Sequence, residues 1–106
     1  MDLTARRQQL EKRLREMLTR HERISAHLRN EDRDVPDDWS EMAQLMENDE
    51  VLEALEERTR DRVGAIVRAV ARIDDGSYTT CASCGETISD ERLDLLNTTT
   101  ICSACA

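Results

Sequence analysis

The chain has 106 residues, 36% of them charged, a formal net charge of −8, and only Trp39 and Tyr78 as aromatics. Three Gly and one Pro supply too few turns for a sandwich or barrel of many short strands. So few aromatics exclude a thick core with an aromatic-lined pocket. What fits is an all-α chain of long, highly charged helices with an added element at one end.

The acidic balance disfavours direct DNA binding, because phosphate contacts need clustered Lys and Arg. No apolar run reaches the roughly 18 residues of a membrane span. The opening Met1-Asp2-Leu3-Thr4-Ala5-Arg6 has no apolar core of a signal peptide, and we expect a cytoplasmic protein. Charge comes in blocks. Residues 1–30 carry eight basic and four acidic side chains, whereas 31–57 carry one basic and twelve acidic.

Positions 3, 7, 10, 14, 17, 21, 24 and 28 hold Leu, Arg, Leu, Leu, Met, His, Ile and Leu. This alternation of four and three predicts a helix over the first thirty residues with a coiled-coil seam. A second such pattern runs from Met42 to Ile73, weakest over 48–62, where Leu55 can take over the seam by a local phase shift. Pro36 ends any continuation between the two, and Asp37 or Asp38 can cap the second helix. The sequence thus predicts an antiparallel coiled-coil hairpin over 1–75, with an acidic tip at about 31–38 and arms of roughly 40 and 55 Å.

The hairpin is followed by Cys81-x-x-Cys84 and Cys102-x-x-Cys105. Two such pairs offer four thiolates to one tetrahedral ion, and Gly85 suits the tight turn of the knuckle. Ser89 reads as the N-cap of a short helix, with Asp90 and Glu91 in its first turn. We expect residues 76–106 to be a small four-cysteine zinc-finger lobe. With four protein ligands the single Zn2+ is structural, and iron fits the same thiolate tetrahedron. Two disulfides or free buried thiols are the competing readings of the cysteines. A lobe of about 30 residues with few apolar side chains needs such a staple. His21 and His27, six residues apart and far from the knuckles, read as packed or solvated side chains rather than ligands.

The segment Gly76-x-Tyr78-x-x-Cys81-x-x-Cys84-Gly85-x-x-Ile88, followed by Arg92-Leu93 and Cys102-x-x-Cys105, resembles the DksA/TraR (DnaK suppressor-like) family of bacterial transcription factors. The resemblance extends more loosely along the second helix to the tip. It implies a regulator that binds RNA polymerase rather than DNA and inserts its hairpin into the secondary channel. The family's tip motif, Asp-x-x-Asp-x-Ala, falls on Asp38, Glu41 and Ala43, with Glu in place of the second Asp. Family positions tied to ppGpp fall near Arg58, Arg62 and Ala65, and a basic residue is missing at the last. That departure, and the absence of the longer members' C-terminal helix, bring the chain nearer to short TraR-like forms that act without ppGpp.

Asp38-x-x-Glu41 is also a capping-box arrangement, so these acids serve as a helix start, as a presented tip, or as both. Trp39 reads equally as a staple across the loop or as a contact aromatic. The competing function is a zinc-stabilised coiled-coil adaptor with another protein partner. No nucleophile–base pair, open metal site or phosphate loop is visible, so we expect no enzyme.

Overall fold

The computed structural model describes residues 1–106. It contains six α-helices and no strand: α1 (Leu3–Arg20), α2 (Glu22–Asn30), α3 (Trp39–Met46), α4 (Asp49–Ala54), α5 (Glu57–Asp75) and α6 (Asp90–Leu95). Two compact units form, one from Met1–Leu10 with Ala65–Ala106, the other from Glu11–Gly64.

Both predicted arms are interrupted. The longest unbroken helices have 18 and 19 residues, so they measure roughly 27 and 28 Å instead of 40 and 55. The first arm breaks at His21, whose backbone is extended at φ −79° and ψ 107°. Hydroxyl groups take over carbonyls around the break. Thr19 Oγ1 donates to the Arg15 carbonyl at 2.8 Å, and Ser25 Oγ donates to the Thr19 carbonyl at 3.0 Å. Such side-chain bonds compete with the helical ladder. The heptad seam is corrected as well. Arg6, Leu10, Leu14 and Leu18 are buried, whereas Leu3 is exposed and Met17 half-buried. Steps of four follow a ridge of a straight helix, which drifts away from a strict heptad. The break at His21 then resets the phase, so that Ile24 and Leu28 are buried on α2.

The second arm divides into α3, α4 and α5 because its sequence carries caps inside the periodic pattern. Asn48 caps α4 by accepting from the Glu50 N–H at 2.9 Å, and Asp49 and Glu50 suit the positive helix start. At the other end Leu55 is extended yet buried. The expected phase shift at Leu55 is therefore a helix break. Arg60 reaches back to the orphan carbonyls there, with Nε 3.0 Å from the Leu52 oxygen. Within this unit α4 packs on both α2 and α3, burying Met42, Leu45, Met46 and Val51.

Helix α2 stops in a Schellman turn. Arg33 N–H donates to the Leu28 carbonyl and Asp32 N–H to that of Arg29, with Asp32 in the left-handed region at φ 53°. Helix α5 ends the same way, with Ser77 N–H on the Arg72 carbonyl and Gly76 at φ 85°. Only the second of these turns has the glycine that the geometry favours.

In the other unit, the start of α1 is held in two ways. Arg7 makes a two-pronged pair with Asp74 near the end of α5, at 2.9 and 3.1 Å. Arg6 is 8% exposed. It donates to the Leu93 carbonyl at 2.7 Å and pairs with the Asp94 carboxylate, both on α6. Asp94 is largely solvated, so the charge pair itself contributes little. The buried bond to Leu93 matters more, because losing it leaves a carbonyl unpaired. Arg6→Ala should destabilise this unit by about 1–3 kcal/mol, and Asp94→Ala by less than about 1 kcal/mol, measured by urea denaturation of the zinc-loaded protein.

Candidate metal centre

The metal centre is assembled from two knuckles and the short helix between them. After α5 the chain turns through Ser77, and Arg72 holds the turn by donating to the Ser77 and Thr80 carbonyls at 2.8 and 2.5 Å. Tyr78 is 1% exposed and donates its hydroxyl to the Asn97 carbonyl at 2.6 Å. Burial raises its pKa, and the bond to Asn97 satisfies its polar end, as a buried Tyr requires. An isolated antiparallel bridge pairs Thr80 with Thr87, and Ile88 N–H donates to the Thr79 carbonyl at 2.7 Å. Between them the chain doubles back through the first knuckle.

In that knuckle Gly85 N–H donates to the Cys81 carbonyl at 3.0 Å, and Cys81 N–H donates to Glu86 at 2.8 Å. Gly85 adopts φ 77° with open space around the missing Cβ. The need for glycine is therefore conformational rather than steric. Ser89 caps α6 through a bond from the Arg92 N–H at 3.2 Å, and Leu93 is fully buried. Arg92 Nε then donates to the Ile101 carbonyl at 2.9 Å, which fixes the approach to the second knuckle. Ala82 N–H donates to the Thr100 carbonyl at 2.7 Å and holds the two knuckles together.

The result is a cluster in which the sulfurs of Cys81, Cys84, Cys102 and Cys105 all lie within 4.8 Å of one another. Cys84 and Cys102 Sγ are 3.6 Å apart. That is far beyond the roughly 2.05 Å of a disulfide and near the roughly 3.8 Å edge of a zinc–thiolate tetrahedron. No disulfide joins any of the four cysteines. Cys102 N–H donates to Cys81 Sγ at 3.3 Å. With that donor first, and the amides of Cys84 and Ser83 adding to it, the Cys81 thiol is pulled down to about 6. Cys105 is pushed up to about 12 by the sulfurs of Cys84, Cys102 and Cys81. Four thiols this close hold protons against one another unless a cation balances them, and the donor set fits one tetrahedral thiophilic ion.

The expected tip residues Asp38, Trp39, Glu41 and Ala43 belong to the unit Glu11–Gly64. Asp38 is exposed and N-caps α3, accepting from the Ser40 N–H at 2.7 Å. The donor is Ser40 and not Glu41, one residue short of the capping-box bond. Glu41 is exposed in the first turn, and Trp39 and Ala43 are half-buried. Asp37, next to the cap, pairs with Arg15 of α1 at 2.6 Å. Sequence reasoning missed Arg6 and placed Arg7 in the seam. The available signal was the spacing of four from Arg6 through Leu10, Leu14 and Leu18.

Known proteins give the same outline. Residues 76–106 match the prokaryotic dksA/traR C4-type zinc finger, and residues 6–73 match the DnaK suppressor protein-like N-terminal domain. An uncharacterized protein of Aquifex aeolicus (strain VF5) is 32% identical over 71 residues, which cover 67% of this chain and 49% of that protein. The chain thus spans about half the length of this curated relative. No solved structure matches. Zinc is the metal of such a C4 finger, and with both of its parts matched the chain belongs to the DksA/TraR family.

Proposed function

We propose that this protein regulates transcription by binding RNA polymerase through its secondary channel, acting as a binding factor in the cytoplasm and not as an enzyme. The observation that carries this reading is the pairing, in one chain, of a DksA-like segment over 6–73 with a four-thiol cluster over 76–106. In this reading residues 1–75 are the hairpin inserted into the channel and 76–106 the finger lobe. Cys81, Cys84, Cys102 and Cys105 hold one structural zinc. The closed set of four ligands leaves no position for substrate, so the ion fixes the lobe and takes no part in a reaction.

The surface offered to polymerase is the start of α3. Asp38 and Glu41 are exposed there, and Trp39 and Ala43 complete the patch. The region 31–57 has a net charge of −11. Carboxylates held on a rigid helix start suit a site that handles nucleotide triphosphates with Mg2+ and basic side chains. Binding is to polymerase rather than to DNA, and Ala65 in place of a basic residue favours action without ppGpp.

The cap and the charge of Asp38 can be separated. Asn caps a helix as well as Asp does, so the double variant Asp38→Asn, Glu41→Gln keeps α3 and removes both charges. In transcription with purified polymerase it should lose the effect of the wild type while its circular dichroism is unchanged; full retention of the effect would refute the tip assignment. Zinc removal addresses the other half. A strong chelator, or Cys81→Ser, should abolish one bound zinc per chain and unfold 76–106, with loss of protection at the amides of Ile88 and Leu93 in hydrogen exchange.

A further inference from the structure

The first turns of α1 and the finger meet although they stand at opposite ends of the sequence. Met1–Leu10 and Ala65–Ala106 form one compact unit. Arg6 is the point of contact, and it is the one charged side chain that is buried. A buried guanidinium is costly unless its donors are taken. One goes to the Leu93 carbonyl at 2.7 Å and another to the Asp94 carboxylate. The guanidinium also stands beside the Tyr78 hydroxyl. Burial raises the Tyr78 pKa, and the Arg6 charge opposes that rise.

What Tyr78 and Leu93 do in the finger gives these contacts a consequence. Tyr78 lies just before Cys81 in the chain, and its hydroxyl holds the Asn97 carbonyl. Leu93 is the buried residue of α6, the helix between the two knuckles. Its neighbour Arg92 bonds to the Ile101 carbonyl, next to Cys102. Arg6 therefore braces both the chain entering the first knuckle and the helix that leads to the second. Arg7, by contrast, is anchored to Asp74 on α5, outside the finger.

We propose that Arg6 is a clamp through which the first turns of α1 set how tightly the finger retains its zinc, a metal that α1 does not touch. Groups behind metal ligands hold the ligands in place and so govern metal affinity. Arg6 acts in this way from the other end of the chain, as a positioning residue. Coupling between two sites is reciprocal. A docked Arg6 favours the zinc-bound finger, and the zinc-bound finger equally favours a docked α1. Residues 1–10 are thus a regulatory element for zinc retention: displacing them weakens binding of the metal, and losing the metal releases them.

The test reads both directions on the full chain. Competition with a chelating dye should give Arg6→Ala a zinc affinity weaker than that of the wild type by about fivefold or more. Asp94→Asn leaves the Leu93 carbonyl bond in place and should bind zinc almost as the wild type does. The reverse direction needs no variant. In hydrogen exchange on the wild type, chelation should cost the amides of Arg7, Gln8, Gln9 and Leu10 their protection, while Leu28 and Leu45 in the other unit keep theirs. Equal zinc affinity of wild type and Arg6→Ala would overturn the proposal, as would protection at Arg7–Leu10 that survives chelation. Equal weakening by Arg6→Ala and Asp94→Asn would overturn it too, by placing the effect in the solvated charge pair. So would loss of protection at Leu28 and Leu45 as well, because the chain would then be unfolding as a whole.

Discussion

The convergence of four cysteine sulfurs on one point is the constraint on which the C-terminal part of the molecule depends. Between Gly76 and Ala106 only Tyr78, Ile88 and Leu93, with Cys81 and Cys102, are buried. Three large side chains cannot offset the conformational entropy of ordering thirty residues. The backbone is accordingly arranged around sulfur: amides aim at Cys81, Gly85 turns the first knuckle, and Arg92 steers the second. A metal converts mutual repulsion among thiolates into binding energy, which is then folding energy. The same lobe presents the Leu93 carbonyl and the Asp94 carboxylate to Arg6. A formed finger is thus a precondition for the buried position of an arginine seventy residues or more away in the chain.

The other unit is held by a different kind of chemistry. Its helices are short, and three of its boundaries are specified by a side chain bonded to backbone: Asp38 and Asn48 at helix starts, Arg60 at a helix end. Each such bond contributes about 1 kcal/mol. The cap at Asp38 also fixes where carboxylates emerge, because the residue that starts α3 is one of the acids proposed to meet polymerase. On that proposal structural and functional demands coincide at Asp38, and Asn is the substitution that separates them.

The sequence made the chemistry of the finger legible because ligand spacing is local. Two C-x-x-C pairs, a glycine after Cys84 and a Ser89 cap each act within a few residues, and the structure places all of them as their local rules require. The helical class was legible for a similar reason, since periodicity survives interruptions. The interruptions themselves were not read. His21, Asn48 and Leu55 are compatible with a helix when taken singly, and they break it here because hydroxyls, a cap and an arginine supply better partners than the ladder does. Arg6 was hidden by the assumption of a heptad: a straight helix advances its buried face by fours and selects Arg6 instead of Arg7. The packing of α4 on α2 is likewise encoded by no local pattern.

The central claim is that a metal-stapled finger and an acidic helix start serve one purpose, engagement of RNA polymerase. The most direct measurement is binding of the purified protein to polymerase core in competition with a known secondary-channel factor, with zinc quantified on the same sample. The account predicts mutual displacement by a protein that carries one zinc in the finger. A folded, zinc-loaded protein that neither binds core nor displaces the competitor would contradict it.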